Sequence, residues 1–276
     1  MPTLPHIDFC GQSVSRLIVG GNPFSGNSHQ NAQMDAEMED FFTTQRIKDT
    51  LYQCLRNGIN TAQMRGDKHI MRVLREFRLE GGAIHWIGQT APEMTPYVQN
   101  VRLIQRNGAF ALYHHGTVTD ALFKAGEYAE IERRLSVIRQ SGMAVGLGSH
   151  MPEVFEYADA HHWDVDFYMC CVHNLSKVNR VSSSVTGKSN EGEPFDDEDR
   201  PLMYEMIRST SKPCLAFKIL GAGRHCATPT DVENAFSEAF HSIKPGDAVI
   251  VGMYPRDRDQ VTENADIVRR VLNHNG

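Results

Sequence analysis

Eight short apolar runs, separated by segments with helical spacing, constrain the fold of this chain more than any other feature. Each run is short enough to be a strand buried on both faces of a parallel sheet. The runs are Leu17–Gly20, Ile59–Met64, Ile84–Gly88, Phe110–Tyr113, Ala144–Leu147, Phe167–Val172, Cys214–Leu220 and Ala248–Met253. Eight such strands alternating with helices predict an α/β fold, a (β/α)8 barrel that occupies residues 1–276 as a single domain. An open doubly wound sheet is the alternative, and it is disfavoured because no G-x-G-x-x-G motif follows the first run.

Helix boundaries in the intervening segments support this division. Four of the predicted strands are preceded by a glycine suited to a left-handed helix C-cap, namely Gly58, Gly81, Gly108 and Gly142. Two helix starts are predicted at Thr95-Pro96 and Thr228-Pro229, where a capping hydroxyl precedes a proline at the first helical position. Two connections are long, residues 23–40 and residues 176–200. Both fall on the carboxyl side of the strands, where barrel active sites are built, and the second is predicted to be a mobile lid.

Composition limits the classes of function. With 28 Lys and Arg against 34 Asp and Glu, the net charge is −6, which argues against a nucleic-acid-binding surface. No apolar run approaches the length of about 18 residues that a membrane helix needs. The six cysteines include no C-x-x-C pair, so a zinc knuckle or an iron–sulfur cluster is not expected. The first ten residues do not resemble a signal peptide, so we expect a cytoplasmic protein with reduced thiols that acts on a small molecule.

Polar residues end or follow every predicted strand. In a barrel, residues at these positions converge at one mouth. They are Asn22, Gln63, Arg65, Asp67, Gln89, His114, His115, Ser149, His150, His173, Asn174, Lys218, Tyr254 and Arg256. Their number and chemistry predict a binding or catalytic site at the mouth.

Histidines end three successive predicted strands, which favours metal binding or proton transfer. His114, His150 and His173 are therefore candidate ligands of a divalent metal, although each is also explained as a hydrogen-bonded structural residue. His114 and His115 cannot both point inward, because neighbouring strand residues face opposite sides. Lys218 interrupts an apolar run, where an ammonium group is costly unless it is paired or functional.

Several segments resemble the aldo-keto reductase superfamily in their order and spacing. They are the opening Gly11–Gly21, then Gly58–Asn60, Ala111–His114, Val145–Ser149 and Gln260–Asn264. The resemblance implies a TIM barrel with an N-terminal β-hairpin, and NADPH-dependent carbonyl reduction through an Asp/Tyr/Lys/His tetrad. It also implies that Arg256, Glu263 and Asn264 hold NADP, if NADP is bound.

The catalytic positions depart from that resemblance. Gln63 stands where the family has its aspartate, and Gln89 stands where it has its lysine. No tyrosine occurs between Met64 and Trp86, so only His114 is retained. A glutamine amide cannot supply the proton that carbonyl reduction requires. The resemblance therefore predicts the fold and argues against the usual activity.

Three functions remain open. The favoured one is acid–base chemistry of the isomerase, epimerase or lyase type on a small polar, carbohydrate-like or oxo/hydroxy substrate, with a divalent metal as one option. In this hypothesis the catalytic residues are His114, Lys218, Gln89 and Gln63, the substrate-binding residues are Asn22, Arg65, Asp67, Ser149 and Asn174, and the metal ligands are His114, His150 and His173. The alternatives are an NAD(P)H-dependent oxidoreductase with a rearranged active site, and a non-catalytic regulatory or ligand-binding barrel. The oligomeric state is left open.

Overall fold

Eight parallel strands close into a barrel in chain order, and the last strand pairs back onto the first. The computed structural model describes residues 3–179, 181–189 and 191–273. An antiparallel hairpin of β1 (His6–Phe9) and β2 (Gln12–Ser15) precedes the barrel. The barrel strands are β3 (Leu17–Gly20), β4 (Thr61–Arg65), β5 (His85–Gln89), β6 (Ala111–His114), β7 (Ala144–Ser149), β8 (Phe167–Cys171), β9 (Cys214–Phe217) and β10 (Ala248–Gly252). The predicted (β/α)8 barrel and its N-terminal hairpin are confirmed.

Helices join successive strands. They are α1 (Ala32–Phe41), α2 (Thr44–Arg56), α3 (Lys68–Leu79), α4 (Tyr97–Arg106), α5 (Gly116–Lys124), α6 (Tyr128–Arg139), α7 (Pro152–Ala160), α8 (Ser183–Thr186), α9 (Asp199–Ser209), α10 (Pro229–Ser242) and α11 (Gln260–Asn273). Short 3-10 turns lie at Pro23–Ser25, Leu175–Lys177 and Gly221–Gly223. Among the described residues, none of the helices has the length and apolar character needed to span a membrane.

The predicted helix caps are confirmed at five of six places. The glycines at 58, 81, 108 and 142 have positive φ angles between 80° and 91°. Thr228 begins α10 and forms a reciprocal capping pair with Asp231. The start predicted at Thr95 is wrong by one residue, because Pro96 still has an extended backbone and the helical conformation begins at Tyr97.

The hairpin closes the amino-terminal end of the barrel. Phe9 is fully buried, and its ring lies in edge contact with Phe167 and Phe110, at centroid distances of 5.0 and 6.3 Å. Above this plug the barrel interior is filled by Ile18, Ile87, Ala111, Tyr113, Met169, Leu215, Ala248 and Ile250. A polar cavity can therefore open only at the opposite, carboxyl end of the strands.

Two glycines of β7 determine which way a neighbouring aromatic ring points. A Cβ atom at Gly146 would lie 2.6 Å from the Cβ of Tyr113, and one at Gly148 would lie 2.9 Å from its ring. Real side chains do not approach so closely, so these glycines leave the space that Tyr113 occupies inside the barrel. Since successive strand residues face opposite sides, His114 points outward, toward the helices.

Candidate functional site

A cavity of about 80 Å³ opens at the carboxyl ends of the barrel strands, and we call it the mouth. Seven of the predicted strand-end residues line it: Asn22, Gln63, Arg65, Gln89, His115, His150 and Lys218. The aromatic rings of Tyr113 and Phe217 form another part of its wall. The structure thus brings half of the fourteen predicted polar residues to one place.

A buried carboxylate pairs with one of the mouth histidines. Nδ1 of His150 lies 2.6 Å from Oδ2 of Asp120, which belongs to α5. Because a carboxylate can only accept, Nδ1 carries the proton and Nε2 is the basic nitrogen of the ring. Although burial opposes its ionisation, the His150 ring, Ser149 and Ser176 hold the pKa of Asp120 below its usual range. This is the arrangement of a general base with an orienting carboxylate.

Two serine hydroxyls, of Ser149 and Ser176, donate hydrogen bonds to the Asp120 carboxylate of this pair. The Ser149 hydroxyl donates to Oδ1 of Asp120 at 2.5 Å, and Ser176 donates to Oδ2 at 2.5 Å. Ser149 is completely buried. The structure therefore gives Ser149, a predicted substrate-binding residue, the role of positioning Asp120.

Tyr113 is the aromatic centre of the mouth. Burial raises the pKa of Tyr113 well above its usual range, although hydrogen bonds with the Gln89 and Gln63 side chains and the charge of Arg65 act in the opposite direction. The hydroxyl consequently stays protonated at neutral pH. Gln63 and Gln89, which were predicted to be catalytic, line the mouth together with this phenol.

Two other predicted substrate-binding residues are capping residues. Asp67 accepts the Ile70 amide at 2.8 Å as the N-cap of α3, and it pairs with Arg65 at 3.0 Å. Asn174 accepts the Ser176 amide at 3.1 Å and begins a 3-10 turn. Both side chains are used by the local backbone, and neither lines the mouth.

His114 lies outside the mouth, contrary to its predicted catalytic role. Its Nδ1 is 2.8 Å from the Thr119 hydroxyl, and its Nε2 is 3.4 Å from the guanidinium of Arg134. The ring packs against the edge of Tyr97. The neighbouring His115 lines the mouth instead. The physical reason is the alternation of the strand, in which Tyr113 takes the inward position.

Burial of His114 is expected to make folding stability depend on pH. Burial and the nearby Arg134 charge lower the pKa of His114 to about 3, whereas an unfolded histidine has a pKa of about 6.5. Above pH 6.5 both states are neutral; below it the unfolded chain binds a proton that the folded chain does not. Stability should therefore fall by about 1.4 kcal/mol per pH unit, from this residue alone, as pH drops from about 6 to about 4.

Urea unfolding at several pH values measures this slope. His114→Gln cannot take up the proton, so its free energy of unfolding should vary less with pH than that of the wild type. His69→Ala, which removes an exposed imidazole from α3, is the control variant for the loss of a histidine. Equal slopes in wild type and His114→Gln would contradict the burial of a neutral ring.

The predicted metal ligands His114, His150 and His173 are not brought together. Each ring has different partners, because His114 faces the helices and His150 faces Asp120. His173 instead lies beside Asp197 and His225, with one ligand atom of each within 4.8 Å of the others. Burial lowers the pKa of His173 to about 4.

A larger cavity of about 590 Å³ adjoins the mouth, and we call it the cleft. It lies between the carboxyl ends of β3, β9 and β10 on one side and α10 and α11 on the other. Its wall includes Met34, Leu220, Tyr254, Arg258, Gln260, Glu263, Asn264 and Arg270. The cleft therefore combines apolar surface with two guanidinium groups, two side-chain amides and a carboxylate.

Two of the three predicted cofactor residues, Glu263 and Asn264, line this cleft. Arg256 does not, because it pairs with Glu37 at 2.6 Å and stacks over Tyr254, away from the cavity. Arg258 is the arginine that reaches the cleft, where it pairs with Glu263 at 2.9 Å.

The cleft and the mouth share part of their walls. The shared residues are Asn22, Asn27, His29, Gln63, Phe217 and Lys218. The rings of Phe217 and His150 lie in edge contact, with centroids 6.1 Å apart. A ligand in the cleft can therefore extend toward the Asp120–His150 pair.

The two long connections meet over this junction. Glu193 pairs with Nδ1 of His29 at 2.6 Å, and Nζ of Lys218 lies 3.4 Å from the same nitrogen. Phe195 packs against His29 and beneath the Lys218 ammonium, 5.3 Å from its ring centroid. Lys218, predicted to be catalytic, thus lies where the loops touch. The mobility predicted for residues 176–200 stays a prediction.

The comparisons with known proteins establish the fold and no family. No family model and no curated protein matches the sequence. Among solved structures, a mutant of Gox0644 in complex with NADPH is 11% identical with a TM-score of 0.59, covering 99% of this chain and 94% of the other. The truncated 3-deoxy-D-arabino-heptulosonate 7-phosphate synthase from Thermotoga maritima is 13% identical (TM-score 0.53, 99% and 91% covered). The N-acetylmannosamine-6-phosphate 2-epimerase from Clostridium perfringens is 12% identical (TM-score 0.51, 94% and 92% covered). Barrels of the same kind thus carry different activities.

Proposed function

We propose that the chain is an enzyme that moves a proton next to a carbonyl or hydroxyl group of a small polar substrate, in reactions of the isomerase, epimerase or lyase type. The Asp120–His150 pair carries this proposal. Nε2 of His150 accepts the proton from the substrate, and the Asp120 carboxylate stabilises the imidazolium that forms. The buried, hydrogen-bonded carboxylate fixes the ring before substrate arrives.

The rest of the mouth supplies groups that hold oxygen atoms. Gln63 and Gln89 present amides, and Lys218 presents positive charge toward a developing oxyanion. The Arg65 guanidinium lines the same wall and is paired with Asp67 and Glu93. Asn22 and His115 complete the polar wall. A mouth of about 80 Å³ accommodates only a few heavy atoms, which favours a small oxo or hydroxy compound.

Isotope exchange tests this proposal directly. A panel of small hydroxy-ketones, sugars and oxo-acids is incubated with the protein in D2O, and proton NMR follows the loss of signal at carbons next to the carbonyl. We expect exchange with the wild type and none above background with His150→Ala. The matched control is His69→Ala, which removes an exposed imidazole far from the mouth. Exchange that persists in His150→Ala would contradict the proposal.

A second candidate, an NAD(P)-dependent oxidoreductase, is favoured by the cleft. Its size, and its opening into the mouth, suit an extended nucleotide. The donor set also fits, since Arg258 and Arg270, which pair here with Glu263 and Glu233, would exchange these carboxylates for phosphate groups, and Asn264 offers an amide. A bound nicotinamide would supply hydride transfer, and His150 would hold the proton exchanged with the substrate oxygen. The Asp120–His150 pair thus provides the acid that Gln63 and Gln89 cannot.

Fluorescence titration with NADPH separates the two candidates. The oxidoreductase candidate predicts saturable binding, weakened about tenfold or more by Arg258→Ala, because a hydrogen bond to a charged group contributes about 1.5–3 kcal/mol. Arg256→Ala is the matched control, since that guanidinium lies outside the cleft. Lack of binding at NADPH concentrations up to about 1 mM would exclude this candidate.

A further inference from the structure

A cluster of three metal-ligating side chains lies outside the mouth. His173 follows β8, Asp197 precedes α9, and His225 follows the turn after β9. Nε2 of His225 lies 3.0 Å from Oδ1 of Asp197. The two imidazole rings are nearly parallel, at an interplanar angle of 13° and a centroid distance of 6.3 Å. The two ends of the connection after β8 and the connection after β9 thus place two imidazoles and one carboxylate around a single point.

His173 has an unusual hydrogen-bonding state. Its Nδ1 lies 3.2 Å from the carbonyl oxygen of Asp196, which can only accept, so Nδ1 carries the ring proton. Nε2 therefore holds a lone pair. The residue is completely buried, and among the described residues Nε2 has no hydrogen-bond partner. Leaving such an acceptor unpaired is costly. Histidines that bind metals have this same arrangement, with the second nitrogen donating to a backbone carbonyl.

We propose that His173, Asp197 and His225 bind one divalent cation of the zinc type. Two imidazole nitrogens and one carboxylate oxygen form a ligand set that suits zinc, with water in the fourth position. The ion replaces the proton shared by His225 and Asp197 and satisfies Nε2 of His173. Arg200 lies 3.9 Å from Asp197, but its guanidinium pairs with Glu238 at 2.6 Å, which offsets its charge.

The bound ion would act as a clamp on the loop that crosses the junction. Asp197 lies in the same segment as Glu193, which pairs with His29, and Phe195, which packs against both His29 and His173. Fixing Asp197 to His173 and His225 therefore fixes the segment 193–197 over the shared wall of cleft and mouth. The ion does not touch Asp120 or His150, so its role is structural and separate from the proposed proton transfer.

Zinc binding to the metal-stripped full chain tests the site, with a chromophoric chelator as competitor. We expect one equivalent of Zn²⁺. His225→Ala and Asp197→Asn should each weaken the affinity by more than the roughly 10–100-fold lost when an outer hydrogen-bond partner is removed. Both side chains are partly exposed, so both variants should fold, which circular dichroism checks. His69→Ala should keep the wild-type affinity. Equal affinity in wild type and both variants would overturn the site.

Hydrogen exchange tests the clamp independently of any activity. With free Zn²⁺ at 100 times its Kd, opening that breaks the site is suppressed about 100-fold. Exchange of the amides in residues 191–198 should slow by up to this factor in the wild type and not in His225→Ala. A wild type that binds zinc without slower exchange in this segment would overturn the clamp.

Discussion

Replacing Asp120 by asparagine is expected to lower the rate of proton transfer in the mouth by about 10²–10⁴-fold. Asparagine keeps the shape of the side chain but has no charge to stabilise a protonated His150. Its amide can also donate to Nδ1, which moves the ring proton to Nε2 and leaves no base facing the substrate. The initial rate of isotope exchange at saturating substrate measures the effect, and thermal unfolding checks that the variant is folded.

Ser176→Ala is the matched control for this substitution. It removes one hydroxyl group that donates a hydrogen bond to Asp120, but it leaves the carboxylate charge and the His150 contact in place. We expect a smaller loss of rate than in Asp120→Asn. Equal rates in Asp120→Asn and wild type would show that the pair is not the base. If the wild type and both variants bind ligands but none of them catalyses exchange, the result would instead support the non-catalytic barrel.

Truncation of Phe9 to alanine is expected to lower the free energy of unfolding by about 3–5 kcal/mol. The ring is fully buried at the closed end of the barrel, in edge contact with Phe110 and Phe167. Strands held by barrel hydrogen bonds cannot collapse into the resulting cavity, so the lost contacts are not replaced. Chemical denaturation measures the change.

Ser13→Ala in the same hairpin is the control for Phe9→Ala. Its side chain is exposed, so the change should stay within about 0.5 kcal/mol. A loss below about 1 kcal/mol in Phe9→Ala would mean that the hairpin contributes little to the packing of the barrel.

The fold was predictable because its signals are local. Each barrel strand is a short apolar run, and glycines such as Gly58 and Gly108 end the preceding helices at positive φ. The Thr95 cap failed for an equally local reason, since the extended backbone of Pro96 delays the helix by one residue. Such features depend on a few neighbouring residues, which a single sequence displays.

The site was only partly predictable, because side-chain direction depends on register. His114 and His115 are adjacent, and a shift of one residue decides which of them faces the mouth. The bulk of Tyr113 and the space left by Gly148 on β7 settle that choice, and this is a contact between strands. Asp120 was missed because its pairing with His150 joins a helix to the next strand. An acidic residue in the first turns after a histidine-bearing strand is the signal that could have suggested it.

The grouping of His173, Asp197 and His225 could not be predicted from the sequence, because it depends on contacts between distant parts of the chain. His173 and Asp197 lie at opposite ends of the connection after β8, His225 lies in the connection after β9, and no spacing in the sequence relates them. Their convergence follows from the closure of the barrel, which places the loops after β8 and β9 side by side.

Because the cleft and the mouth share part of their walls, we expect ligand binding in the two cavities to be thermodynamically linked. A ligand that shifts Phe217 or Lys218 in one cavity changes the free energy of binding in the other. Linkage is reciprocal, so the factor by which a cleft ligand alters affinity at the mouth equals the factor by which a mouth ligand alters affinity in the cleft. Binding constants for either ligand should therefore be measured both with and without the other, and their ratio gives the cooperativity between the two cavities.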